Sequence, residues 1–382
     1  MIKSLIAVTR EIDDPKAALG EIINALDLEK NLLKNSLGII TCFSEFEETG
    51  VLKTICDALP FDCIGSTTCL CASGQDIDQI LLTVTVLTSD ECSFKSTVIP
   101  ISGKYEDSIN SSISALLAQF GEKPALLLSY FPLMNTVSGD MILSAIDRAT
   151  GGIPLFGTTT VDHKMDYSSA KTIRNGEAFR ESAVLAAVCG AVNFSFEIAS
   201  INEDKIWKQK AVITESQGNL LMGVNGEPAL DYLEKIGLTK TDIATGLGVL
   251  PLVLDHKDGT KPVARAVFTS TPEGYAVCGG AMPKDVLLSL GRIDMEDVLY
   301  TTEKALGPLA EKNCLILSYS CIARYLVLGT NTMAEAEKVK EVAGDTKYLY
   351  ACSGGEICPL PDADGKLKNY YHNYTNVFCK IS

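Results

Sequence analysis

The chain has 382 residues, 46% of them hydrophobic and 21% charged, which is enough apolar material for a large core and too much chain for one small module. Its 33 basic against 48 acidic side chains leave a formal charge of −15, a field that repels phosphate and sets aside nucleic acid and anionic membrane surfaces as main partners. The 13 cysteines are odd in number, lie in apolar runs and form no CxxC pair, so they read as reduced core residues rather than a disulfide or zinc framework.

In chain order, residues 4–9 read as a strand, cut short by Arg10, Glu11, Asp13 and Asp14 before they reach the length of a signal-peptide core. A helix over 15–26, a strand over 37–42, a helix over 46–59 and a strand over 62–65 follow, an alternation that predicts βαβ units. Residues 80–88 and 94–101, on either side of Ser89, Asp90 and Glu91, read as an antiparallel hairpin, which makes the sheets mixed. Ile109, Ile113, Leu116 and Leu117 recur at helical spacing and predict a helix over 104–120. No apolar run approaches the ~18 residues a spanning helix needs, so membrane insertion is not expected and a cytoplasmic location is.

Three segments echo one another: 37–44, 125–132 and 314–321. Each is followed, after a helix-period stretch, by a short strand running into small residues at Gly65, Gly157 and Gly354, a spacing that leaves room for a crossover helix. A related glycine pair, Gly279 and Gly280, follows a strand over 275–277. The charged stretch 202–209 marks the expected boundary, giving domains over 1–200 and 201–382 packed closely together, with the lone Trp207 plugging the seam between them. The expected fold is mixed α/β, two related halves built from repeated βαβ units and β-hairpins.

The run Leu317-Ser-Tyr-Ser-Cys-Ile-Ala-Arg324, then Tyr350-Ala-Cys-Ser-Gly-Gly-Glu-Ile-Cys-Pro359, then Tyr371-His-Asn-Tyr-Thr375 resembles the C-terminal signature of the FIST proteins, with its Ser-Cys-x-x-Arg, Gly-Glu-Ile-x-Pro and His-Asn-x-Thr pieces. The first half is similar to the N-terminal FIST region through Ile64-Gly-Ser-Thr-Thr68 and Phe156-Gly-Thr-Thr-Thr160, and Glu227-Pro-Ala-Leu-Asp231 and Pro272-Glu-Gly274 stand where that family has such residues. Coverage is essentially the whole chain. The resemblance implies a non-catalytic sensory module that binds a small molecule, an amino acid or small carboxylate, and passes the signal to a partner that no motif identifies. A homodimer is compatible with this reading and rests on no motif.

Small residues beyond the carboxyl ends of strands are where α/β sheets bind ligands. Gly354 and Gly355 allow close backbone approach, and Thr158, Thr159 and Thr160 supply hydroxyls, unless these are simply tight turns. Arg324 carries a fork suited to a carboxylate; Glu356 would hold an ammonium group or pair with Arg324 itself. His372 and Asn373 either hydrogen-bond the ligand or cap the terminal turn. Two alternatives stay open. One is a cysteine-dependent enzyme with Cys321 as nucleophile, its pKa lowered by Arg324, and His372 as base. The other, taken from haem-binding FIST-type proteins, is a gas sensor with His163 or His372 as axial ligand. His163 and His256 otherwise lie in polar loop sequence and are expected to be exposed, and no metal is expected. No cofactor is expected either, since Gly246-Leu-Gly248 lacks the third glycine of a dinucleotide fingerprint.

Overall fold

The structure is a computed structural model describing residues 2–134, 136–164, 167–238 and 250–382; Gly246 to Gly248 lie outside the described residues. Long apolar β-branched strands dominate it, and their pairing resolves the sequence echo into three equivalent units. In the first, Ile2–Thr9, Leu82–Ser89, Asn35–Cys42 and Cys63–Thr67 lie side by side in that order. The second repeats the order with Ser93–Pro100, Ser182–Cys189, Leu126–Phe131 and Leu155–Thr159, and the third with Phe194–Ala199, Asn376–Ile381, Leu315–Cys321 and Lys347–Ser353. One parallel pair in each unit is joined through a crossover carrying a helix: Val51–Ala58, Gly139–Thr150 and Ala334–Ala343.

Each sheet grows to six strands by taking a hairpin from another unit. The second unit lends Thr172–Arg174 and Glu177–Phe179 to the first sheet, the third lends Glu356–Pro361 and Leu367–His372 to the second, and the first lends Cys71–Ser73 and Asp76–Asp78 to the third. The exchange is cyclic. One face of all three sheets contributes to a shared core containing Leu37, Ile64, Leu128, Phe156, Leu317 and Leu349. In its midst the hydroxyls of Tyr130 and Tyr319, at the same register position of units two and three, hydrogen-bond at 2.7 Å. The opposite faces carry the helices over separate cores.

The fold is therefore the mixed α/β architecture of repeated βαβ units read from the sequence, with two units in the first half of the chain. The third is interrupted by an insertion whose eight-stranded sheet, from Ala211–Gln217 to Leu287–Leu290, has its own core around Ile213, Leu233 and Leu254. The chain does not part at residue 200 into closed sheets, since Phe194–Ala199 pairs along its whole length with Asn376–Ile381.

Three expectations are corrected. Leu82–Ser89 and Ser93–Pro100 are not a hairpin: the first sits between Ile2–Thr9 and Asn35–Cys42, the second on Ser182–Cys189, so the short link at Asp90 crosses from one sheet to the next. Each strand pairs along all eight of its residues with strands of its own unit instead. Trp207 does not plug a seam; it is 46% exposed, and its backbone N–H donates to the Leu290 carbonyl. His256 is half-buried rather than exposed, while His163 is exposed as expected. All 13 cysteines are free and buried. No helix among the described residues is long and apolar enough to cross a membrane.

The crossover strands approach their parallel neighbours closely at Gly65 and Gly157, where a Cβ would collide with the carbonyl oxygens of Ile40 and Ser129. Backbone cannot yield as a side-chain tip does. Gly65→Ala and Gly157→Ala should each cost about 3 kcal/mol or more, beyond the usual range for overpacking, whereas Gly20→Ala, with nothing near its Cβ, should be neutral or stabilising in urea unfolding.

Candidate functional site

The borrowed hairpin of the third unit brings the scattered sequence candidates together. Glu356 lies opposite Thr158 on one side and His372 on the other, so all three share one region of the second sheet. The turn before it is closed by Ser353, whose Oγ donates to the Gly355 carbonyl at 2.8 Å and accepts from Thr158 Oγ1 at 2.7 Å and from the Gly355 N–H at 3.1 Å. The Gly354 N–H donates to the Thr159 carbonyl at 2.9 Å. Both glycine N–H groups, read from sequence as donors to a ligand, are thus used by the turn. Gly355 has a different role, since a Cβ there would strike the Tyr371 phenol, which the glycine admits to within 2.9 Å of Thr159 Oγ1. Thr160 Oγ1 accepts from the Leu133 N–H.

Glu356 is completely buried. Its Oε2 accepts from Thr375 Oγ1 at 2.7 Å, and its Oε1 has no partner among the described residues. Burial raises the carboxyl to about 8, against the pull of the Thr375 and Ser353 hydroxyls, so at neutral pH it is held largely as the neutral acid. Cys321, at the start of the short helix Ile322–Val327, lies beside it; burial and the neighbouring carboxyl push its thiol well above the ordinary range. That is the opposite of an activated nucleophile. His372 is not its base: the imidazole Nε2 hydrogen-bonds the Cys358 carbonyl at 2.9 Å, and burial lowers the ring to about 4. The same bond takes the nitrogen the haem reading would need at His372, and the exposed His163 packs its ring on Phe43 at 4.3 Å.

Arg324 pairs with neither Glu356 nor open solvent. It is fully buried and its partner is Glu335, with Nη2 at 2.8 Å and Nε at 2.9 Å from one carboxylate oxygen. Nη2 also donates to the Val298 carbonyl and the Thr301 and Thr302 hydroxyls, and Nη1 reaches the Tyr374 carbonyl at 3.5 Å. Ser320 and Asn376 complete the shell around Glu335. The anion-anchor role read from its motif is corrected accordingly: the guanidinium is spent inside the protein and steadies the turn that delivers Thr375 to Glu356. Glu335 was hidden in a run of helical charges, yet its spacing from Val339 and Ala343 puts it on the buried face of Ala334–Ala343.

Sequence reading also missed Arg265 and Asp140. Arg265, 2% exposed in Val263–Arg265 of the insertion, donates through Nη1 to the Tyr371 carbonyl at 2.8 Å and through Nε to the Ala281 carbonyl at 3.1 Å. Asp140 Oδ2 accepts from the Ala281 N–H at 2.6 Å and lies 3.6 Å from Arg265 Nη2. Burial raises this carboxyl too, with Arg265 drawing it down. The signal for them was the glycine pair: a Cβ on Gly280 would strike Asp140 and Arg265, and one on Gly279 would strike the Asn373 amide. Asn373 accepts from the Ala266 N–H at 3.3 Å and so ties the terminal turn to the insertion. Tyr371 is the common wall of the cluster, its carbonyl on Arg265 and its phenol in the fields of Glu356, Asp140 and Cys321.

The FIST N domain matches residues 36–227 and the FIST C domain residues 229–359. The chain belongs to the FIST family. FIST domains are sensory modules, and the signature residues of this one are the buried turn and hairpin just described. No curated protein matches the sequence. Two solved structures of cyanuric acid hydrolase align with the FIST chain at 8% identity: that from A. caulinodans, covering 100% of this chain and 99% of the other at a TM-score of 0.41, and a second covering 100% and 98% at 0.38.

Two predictions follow from the buried charges. Arg324→Met should cost roughly 3 to 5 kcal/mol by stranding Glu335, and the double change with Glu335→Gln should recover much of it in a denaturant double-mutant cycle. Glu356, raised from 4.5 to about 8, keeps a proton that the unfolded chain has lost, so its contribution to stability falls as pH rises between those values. His372, lowered from 6.5 to about 4, gives the opposite slope below pH 6.5. The loss from Glu356, about 1.4 kcal/mol per pH unit, should therefore stand out from pH 6.5 to 8 and vanish in Glu356→Gln, as urea melts at stepped pH will read.

Proposed function

We propose that this FIST protein is a non-catalytic sensor that binds an amino acid or small carboxylate at the Glu356 cluster, with Glu356 receiving the ligand's ammonium group. The observation that carries the reading is the Oε1 of Glu356, a fully buried carboxyl oxygen that no hydrogen bond of normal geometry meets among the described residues, with the Ser353 hydroxyl and the Cys321 thiol beside the carboxyl. A group of this kind costs stability unless something meets it, and a retained cost of that size at one position is what a binding residue shows. The hydroxyls of Thr158, Thr159 and Thr375 line the same region, while Thr160, His372 and Asn373 shape the backbone around it. The cysteine-enzyme alternative is disfavoured by Cys321 facing a carboxyl rather than a base-paired imidazole. Output to a signalling partner belongs to the same proposal and rests on the family resemblance; residence in the cytoplasm rests on the short apolar runs and scattered cysteines of the sequence, and assembly into a dimer rests on no motif.

An ammonium group next to Glu356 favours its ionised form, so binding below pH 8 should release a proton and tighten as pH rises toward that value. Thermal-shift screening of the twenty L-amino acids, followed by calorimetry in buffers of different ionisation enthalpy, measures both. A binder at 100 times its dissociation constant should stabilise the chain by about 2.7 kcal/mol, and Glu356→Gln should remove that gain. Stabilisation by none of the twenty, or a gain that survives Glu356→Gln with no proton released, would overturn the reading.

A further inference from the structure

Two ionisable side chains carry a buried atom without a partner among the described residues: Glu356 Oε1 and His256 Nε2. They belong to opposite sides of one joint. Glu356 is in the three-unit core, and His256 follows Leu252–Asp255 of the insertion. The His256 ring lies 5.6 Å from that of Tyr370, which in turn lies 6.2 Å from that of His372, the residue opposite Glu356 in the hairpin. Burial and the neighbouring Arg265 keep His256 below its ordinary pKa, and Asp140 faces it as well.

Arg265 is unevenly satisfied. Its Nε and Nη1 donate to three carbonyls, those of Ala281, Ala264 and Tyr371, at 2.8 to 3.1 Å. Among the described residues its Nη2 makes no bond of that length; its pair with Asp140 is at 3.6 Å, beyond hydrogen-bond reach. Three carbonyls fix the guanidinium plane while the two N–H groups of Nη2 have no close acceptor among the described residues, which makes a preorganised donor for a carboxylate. The other fully buried arginine, Arg324, has no such corner, because its Nη2 is 2.8 Å from Glu335.

We infer that Arg265, with His256 beside it, recognises the carboxylate of the ligand, and that Asp140 is the internal carboxylate competing for the same N–H groups. The inference rests on the reading of Glu356 as the ammonium anchor and narrows the ligand to a zwitterionic amino acid. It also gives the site two halves: the insertion holds the negative end and the core the positive end, so a ligand engaging both pulls on the joint that Asn373 and Gly279 close. Only a molecule carrying both charges engages both halves.

The test compares each L-amino acid that binds with its amide, which lacks the carboxylate, and its deaminated acid, which lacks the ammonium, on the full chain by calorimetry. The amide is expected to bind at least tenfold more weakly than the amino acid. Arg265→Lys and Arg265→Met should weaken the amino acid tenfold or more and leave the amide unchanged, whereas Glu356→Gln should weaken the amide and leave the deaminated acid unchanged. Because Arg265 also holds backbone, Asp140→Asn is the second arm: its amide oxygen still accepts from Ala281, and removing the competing charge should tighten the amino acid about threefold or more. Amide and amino acid binding alike, or an amino-acid affinity indifferent to both Arg265→Lys and Asp140→Asn while Glu356→Gln still abolishes it, overturns the role of Arg265 and spares the proposed function. Absence of binding by every amino acid and amide overturns both.

Discussion

The rest of the structure depends on the main-chain hydrogen bonding between units. None of the three four-stranded sheets is closed by its own strands; each has its crossover strand edge covered by a hairpin of another unit, over three register positions in two of the sheets and two in the other. An uncovered edge there would expose unpaired N–H and C=O groups beside a large apolar face. Because the loan runs in a ring, no unit is complete until all three are in place, and the shared core with its Tyr130 to Tyr319 bond forms only in that state. The long sequence separation of these pairings places their closure late in folding on contact-order grounds.

The same ring sets up three similar positions, one of which carries the buried carboxyl. Cys71, Thr172 and Glu356 occupy equivalent register positions, opposite Ala351, Ser66 and Thr158. Two of these side chains are small and neutral, and only the third is a carboxyl. A carboxyl buried at this depth needs support from further away. The terminal turn supplies it, with Thr375 on Glu356, Tyr374 on Arg324 and Asn373 on the insertion. Arg324 and Glu335 hold that turn from behind while their charges cancel each other, a supporting role that explains a buried arginine without bringing it to a ligand.

The insertion interrupts the third unit between Phe194–Ala199 and Met295–Leu306, and this is the unit whose hairpin carries Glu356. It reaches the core through Arg265 on Tyr371 and through the small residues Gly279 and Gly280. Contact at this joint is both apolar and polar: Val253, Ala264 and Ala266 of the insertion pack in one cluster with Val298, Leu328, Ala334 and Tyr374 of the third unit, beside the buried Arg265.

Local patterning in the sequence was sufficient for the strands and helices, for the reduced state of the cysteines and for the threefold echo, because apolar periodicity and the glycines at crossover strands are properties of neighbouring residues. It was sufficient as well for naming Thr158, Gly355, Glu356 and His372 as companions, since their motifs lie in one hairpin and its partner strand. Tertiary structure alone decided which charges meet. Arg324 sits in a motif eleven residues before Glu335 and thirty-two before Glu356, and sequence distance favours neither; the packing of Ala334–Ala343 over the third sheet made the choice. The swap of hairpins between units, the failure of 82–89 and 93–100 to pair, and the approach of Arg265 to Asp140 across 125 residues were equally illegible. All are long-range pairings in which many partners would satisfy the local chemistry, and only the closure of three sheets at once selects among them.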